Sequence, residues 1–135
     1  MFGDGALSEG LLHECLNMAR LWSLPLLFVC ERNGWSEFSA ADAMFKGSLE
    51  GLTAAFGIRF ARADGNDVLA VAEAAGAAIA ACRTGEPAVL ECLTRRWGGH
   101  YEGDPQKYRD TRSETELGDP IDRAEQGLLA LGCEQ

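Results

Sequence analysis

No stretch of apolar residues approaches the roughly 18 that a membrane span requires, and the longest, Leu24 to Cys30, falls well short. That run also lacks the basic flank and small-residue cleavage site of a secretory signal, so it reads as a buried strand. Basic residues are scarce: 12 Lys and Arg against 21 Asp and Glu give a formal net charge of −9. A nucleic-acid surface needs clustered cations to neutralise phosphates, so this balance argues against one and for a protein or small-molecule partner. An anionic ligand then needs local compensation from a metal ion, an Arg or helix N-terminal amides. Five cysteines, Cys15, Cys30, Cys82, Cys92 and Cys133, form no CxxC pair. Four lie inside apolar patterns and read as reduced core thiols, and the odd count suits a reducing cytoplasm. The phosphate fingerprint G-x-G-x-x-G is also missing, which ranks a small nucleotide-binding domain low.

What is present fits one domain, residues 1–135, with ordinary contents of 47% hydrophobic and 24% charged residues. Met1-Phe2 runs at once into Gly3-Asp4-Gly5, like the last step of a strand entering a tight turn, so the chain is expected to begin inside a fold. From Ser8, a candidate N-cap, Leu11, Leu12, Cys15, Leu16, Ala19 and Trp22 recur at helical spacing. Pro25 then opens the continuous apolar run of a parallel strand covered on both faces. A helical piece near Leu49 to Phe56 leads to an alternating strand, Ile58 to Ala63, and the Ala-rich segment Asp67 to Arg83 is a helix stopping at Gly85. Ala88 to Thr94 is a strand, Arg95 to Gly118 a long polar loop, and Asp119-Pro120 starts a last helix running to about Leu131. Helices alternating with apolar strands make an α/β fold with an open, mostly parallel sheet, whose ligands bind beyond the carboxyl ends of the strands.

Two such ends are Gly3-Asp4-Gly5 and the loop from Glu31 to Trp35. The glycines let backbone approach a ligand, the following helix aims free amides at an anion, and Asp4 is left able to hold a cation. Asn33 supplies an amide oxygen at the adjacent end. Magnesium prefers oxygen ligands and is usually held by few protein groups with phosphate oxygens, so Asp4, Asn33 and a loop carbonyl make a fitting cradle. Taken alone, each of these segments is equally an ordinary turn. His13 reads as a structural residue at the edge of the first helix, and Trp22, Trp35 and Trp97 as packing or loop anchors.

The pairing of Gly3-Asp4-Gly5 with Asn33 across a helix and strand resembles the thiamine-diphosphate motif of thiamine enzymes. Gly3 to Ala6, His13 to Met18, Leu24-Pro25, Cys30 to Asn33, Asp64 to Asp67, Gly99-His100, Gly103 to Pro105, Tyr108-Arg109 and Asp119 to Ile121 together narrow the likeness. In that order they are similar to the alpha subunit of the decarboxylase component of 2-oxo-acid dehydrogenase complexes, including pyruvate and acetoin dehydrogenases. The resemblance implies a thiamine-diphosphate-binding fold, lacking its upstream part, with Gly3, Asp4, Gly5, Ala6, Asn33, Trp35, Arg96 and His100 on the cofactor. It implies magnesium on Asp4, Asn33 and the backbone carbonyl of Trp35, with Arg96 and His100 facing the diphosphate and His100 near the reacting centre. A guanidinium fork suits phosphate oxygens, and an imidazole can exchange protons near neutral pH. It further implies a beta subunit completing the site, a lipoyl-bearing acyltransferase as acceptor, and a 2-oxo acid or acetoin as substrate.

The chain departs from the family pattern in places. Arg32-Asn33 stands where many members carry two asparagines, Gly98 where relatives often carry a histidine, and Tyr101 where mitochondrial members have a phosphorylatable serine. Regulation by that phosphorylation is therefore not expected. Gly99 to Pro105 leans slightly toward acetoin dehydrogenases. The rival reading is a truncated, non-catalytic fragment keeping only subunit-interface surface.

Overall fold

The computed structural model describes residues 1–110 and 119–133. Four parallel strands form one open sheet: β1 (Phe2–Gly3), β2 (Leu27–Arg32), β5 (Arg59–Asp64) and β6 (Ala88–Leu93), in the spatial order β1-β2-β6-β5. This is the α/β architecture expected. Because all four strands run the same way, their carboxyl ends lie along one edge. Gly3 pairs with Glu31, and Arg32 and Asp64 both pair with Leu93, so Asn33, Thr94 and Gly65 follow side by side, with Asp4 one step short of them, level with Arg32. No helix among the described residues is long and apolar enough to cross a membrane.

Two different layers cover the sheet. On one face Leu7, Leu12, Leu16, Leu49 and Ile58 pack with Cys30 and Val89, surrounded by Phe2, Phe28, Phe45, Phe56 and Phe60. The helices α1 (Gly10–Leu21) and α3 (Leu49–Ala55) supply this side. On the other face α4 (Val68–Cys82) presents Val71, Ala74, Ala75, Ala78 and Cys82, a stripe at helical spacing, to Ala63, Leu90, Cys92 and Ala88. Small side chains bring that helix close to the strands. The Asp67 carboxylate caps it by accepting from the N–H groups of Leu69 and Ala70, at 3.0 and 3.1 Å. A last helix, α5 (Pro120–Ala130), is capped by Asp119 and tied to the β5 end by Arg123, which reaches Asp64 at 2.6 Å and Asp67 at 2.9 Å.

Several local expectations need correcting. Ser8 is not the helix cap: residues Asp4–Ser8 form a 3-10 turn, the Ser8 hydroxyl donates to the Gly5 carbonyl at 2.9 Å, and α1 starts at Gly10 without a side-chain cap. The helix buries Leu12, Leu16 and Ala19, while Leu11 and Trp22 are exposed. Ser48 caps α3. Within the polar loop after β2 lie a hairpin of β3 (Trp35–Ser36) with β4 (Ser39–Ala40) and a single turn of helix, α2 (Ala41–Met44), which no periodicity announces. Of the cysteines, Cys30, Cys82 and Cys92 are buried, Cys15 is half-buried and Cys133 exposed. Burial, with Asp4 and Glu91 nearby, pushes the Cys30 thiol up to about 12, which keeps it an inert core thiol. Residues 111–118 of the long polar loop fall outside the described residues.

Candidate functional site

Asp4 is 3% exposed although it directly follows a strand end. Its Oδ2 accepts the backbone N–H groups of Asn33, at 2.8 Å, and Gly34, at 2.9 Å, which locks the first strand end to the second. Its Oδ1 is buried with no hydrogen-bond partner, and Arg32 Nε lies 3.7 Å away. Asn33 Oδ1 accepts the Trp35 N–H at 3.0 Å, closing a local turn and keeping a second lone pair. Gly34 makes the bend with φ of +85°, a conformation that favours glycine. A Cβ on Gly5 would meet Ser36 Oγ at 2.5 Å and Ser36 Cβ at 3.3 Å, so the hairpin seats against the 3-10 turn only because residue 5 is glycine.

The hairpin carries the cradle toward the loop after β6. Arg96 spans 59 residues to donate to the Glu37 carbonyl at 2.7 Å, and its other terminal nitrogen donates to the Tyr108 hydroxyl at 2.7 Å. Its guanidinium sits over the rings of Trp35 and Tyr108, at 5.7 and 5.6 Å from their centroids. Tyr108 donates in turn to Asp104 Oδ2 at 2.8 Å, and Asp104 also accepts the N–H groups of His100 and Gln106. Burial works to raise the Asp104 pKa, but the Gln106 and His100 N–H groups, the Tyr108 hydroxyl and Arg96 outweigh it and hold the carboxylate below its ordinary value. Arg109 fastens the loop by donating to the carbonyls of Arg96, at 2.7 Å, and Gly98, at 2.8 Å. The His100 ring stacks edgewise on Phe38, centroids 5.4 Å apart, with Nε2 4.0 Å from Glu37.

The structure thus joins the expected residues in two groups: Gly3, Asp4, Gly5, Asn33 and Trp35 at the cradle, and Arg96 and His100 beside it through Glu37 and Phe38. Ala6 lies in the 3-10 turn, its carbonyl accepting the Glu9 N–H. His13 Nδ1 donates locally to the Glu9 carbonyl at 3.1 Å, as a structural residue would. Trp35 is an anchor edgewise against Tyr108, while Trp22 and Trp97 are exposed.

Among the described residues, the buried side-chain polar atoms without a hydrogen-bond partner are Asp4 Oδ1, Thr94 Oγ1 and Arg96 Nε. All three lie just past the ends of β1 and β6, on the edge where an open α/β sheet binds ligands. Buried polar atoms are normally satisfied, so these three exceptions mark the edge as the candidate site. Thr94 had no sequence signal, since a threonine at a strand end is commonplace. Neither had Glu91, which is fully buried in β6 and accepts from Arg32 at 2.8 Å and Arg62 at 2.6 Å.

Magnesium and a diphosphate fit this edge. Among the described residues no three His, Cys, Asp or Glu side chains gather as a metal cluster. A single buried carboxylate oxygen beside an amide oxygen is instead the donor set of a cation whose other ligands are phosphate oxygens and water. The cradle opens beside a cleft of about 260 Å³ lined by Phe2, Gly3, Glu31 and Asn33. A larger cleft, about 430 Å³, opens at the ends of β5 and β6, lined by Arg62, Asp64, Asn66, Arg95 and Arg123. Asp4, Thr94 and Arg96, which carry the orphaned atoms, line neither cleft, while Gly3 and Asn33 of the cradle border the smaller one.

An open parallel four-stranded sheet with helices on both faces defines an α/β protein of the class whose ligands bind beyond the strand ends. More particularly, the chain belongs to the dehydrogenase E1 component family, whose model it matches over residues 1–134. It is 45% identical over 112 residues to the alpha subunit of acetoin:2,6-dichlorophenolindophenol oxidoreductase of Bacillus subtilis, an alignment covering 80% of this chain and 33% of that protein. It is 41% identical over 141 residues to the pyruvate dehydrogenase E1 component subunit alpha of Rhizobium meliloti, covering 97% of this chain and 39% of the relative. The chain therefore spans between a third and two fifths of the length of these relatives.

Proposed function

We propose that this chain is the part of an E1 alpha subunit that grips the magnesium-diphosphate end of thiamine diphosphate. The enzyme would oxidatively decarboxylate a 2-oxo acid or cleave acetoin, passing the acyl unit to a lipoyl-bearing partner. The observation carrying this reading is the buried Asp4 Oδ1, without a hydrogen-bond partner and with Arg32 Nε no nearer than 3.7 Å, beside Asn33. When bound, thiamine diphosphate supplies a nucleophilic carbon and an electron sink.

The residues of this chain would hold it. Asp4 Oδ1, Asn33 Oδ1 and the Trp35 carbonyl would take the cation, and Gly3, Gly5 and Ala6 would let backbone come close to the phosphates. Arg96 uses its two terminal nitrogens on Glu37 and Tyr108, so it would add fixed positive charge and the buried Nε donor rather than a wholly free fork. His100, with its side chain 44% exposed and held edgewise by Phe38, would give or take a proton near the reacting centre. A beta subunit would complete the site, and the reading places the complex in the cytoplasm.

The choice of substrate leans to acetoin on Gly99 to Pro105 alone. The test is to reconstitute the chain with a beta partner and supply pyruvate and acetoin in turn with an artificial electron acceptor. Turnover needing both thiamine diphosphate and magnesium, and falling at least tenfold in His100→Ala, is expected. Turnover with neither, or with neither substrate, overturns the assignment.

A further inference from the structure

Arg32 has two carboxylates within reach. Its Nη1 donates to Glu91 at 2.8 Å, while its Nε stands 3.7 Å from Asp4 Oδ1, too far for a hydrogen bond and near enough to attract. Glu91 lies on the Phe-rich face of the sheet, two residues after Val89, where strand alternation puts it opposite Cys30 on β2 and Arg62 on β5. It is fully buried and its two oxygens are divided, Oε1 to Arg32 and Oε2 to Arg62. Arg62 is held in turn by Glu50 at 3.5 Å. A line of alternating charge thus runs Asp4, Arg32, Glu91, Arg62, Glu50 beneath the cradle.

The division decides what Asp4 can do. Were Arg32 to swing onto Asp4, the carboxylate would be satisfied within the protein and a divalent cation would have to displace a guanidinium. In the structure Arg32 Nη1 is engaged by Glu91 in the shorter, charge-assisted bond, and Asp4 Oδ1 has only the longer ion-pair approach of Nε. Resting on the proposed function, we infer that Glu91 is a positioning residue for metal binding: it withholds Arg32 from Asp4 Oδ1 and so keeps that oxygen free for the cation. Arg32 itself is a standing competitor, since its charge lies close to where the cation must sit.

The measurement is manganous-ion affinity by electron paramagnetic resonance, with thiamine diphosphate present, on the chain assembled with its beta partner. Glu91→Gln, nearly isosteric, should weaken affinity roughly tenfold or more, because the freed guanidinium pairs with Asp4. Arg32→Gln should bind several-fold more tightly than the native protein, and Glu91→Gln combined with Arg32→Gln should return to the level of Arg32→Gln. That rescue is the discriminating readout, because a merely structural defect at Glu91 is not repaired by removing a second member of the line. Unchanged affinity in Glu91→Gln, or a double variant as weak as the single one, overturns this inference while leaving the metal site standing. Absence of any tight manganous binding by the native assembly overturns the proposed function itself. If Glu91→Gln fails to assemble, Arg32→Gln decides: tighter binding supports the inference, and unchanged or weaker binding overturns it.

Discussion

At the ends of β1 and β2, a buried carboxylate takes two backbone N–H groups and keeps one oxygen open, whereas beyond β6 the polar groups are spent largely on one another. The cradle is made from strand ends, so the sheet fixes its geometry before any ligand arrives. The loop is made from side chains: Arg96, Tyr108, Asp104 and Arg109 cross-link a segment without regular structure, and among the described residues Thr94 Oγ1 and Arg96 Nε are left over. The metal coordination proposed for Asp4 and Asn33 would call for the first kind of construction. A group that must approach a reacting centre, as His100 is proposed to do, is suited by the second, because a loop held by exchangeable bonds can adjust.

The sharpest way to break this comparison is Asp4→Ala. It removes two hydrogen bonds to a buried carboxylate, from the N–H groups of half-buried Asn33 and exposed Gly34, and should cost about 3 kcal/mol in chemical denaturation. An effect below about 1 kcal/mol would show that Asp4 does not hold the strand ends together. Gly5→Ala comes next, at about 1–3 kcal/mol, since the new methyl meets Ser36 Oγ and Cβ. Adding Ser36→Gly should recover most of that loss in thermal denaturation, and no recovery would deny the packing of hairpin against turn.

Tyr108→Phe should act on the other region only. Removing the hydroxyl that joins Arg96 to Asp104 should speed hydrogen exchange at the His100 and Gln106 amides and leave those of Asn33 and Gly34 protected. Equal loosening of both would make the two regions one unit. The smallest effect is in pH dependence. Asp104 has its folded pKa depressed, so its contribution is complete above the unfolded value of 3.8 and is lost as pH falls through the lower folded value. Protection of the His100 and Gln106 amides should fade below pH 3.8, and fading that begins near neutrality would exclude Asp104 as the cause.

How legible each region was follows from how it is built. The apolar run into Cys30, the alanine stripe of α4 and the Asp119-Pro120 start of α5 are patterns of local physics, and each appears where periodicity and capping put it. Asp4 and Asn33 were legible as a pair because one helix and one strand between them bring two parallel strand ends together. The β3–β4 hairpin was not legible, for two-residue strands have no periodicity and depend on Gly5 making room and on Ala41 N–H reaching the Gly34 carbonyl. Arg96 with Glu37 and Glu91 with Arg32 each join residues 59 apart, and only the folded sheet brings them together. Glu91 was further concealed by its setting, since inside Ala88 to Thr94 it reads as one polar residue in a buried strand.

The most direct test of the central claim is calorimetric titration of thiamine diphosphate into the chain assembled with its beta partner, with magnesium and then with chelator, for the native protein and for Asp4→Ala. Saturable binding that needs magnesium and disappears in Asp4→Ala, while the variant assembly stays intact, is the expected result. Binding by the native assembly that ignores chelator, or that survives in Asp4→Ala, would contradict it.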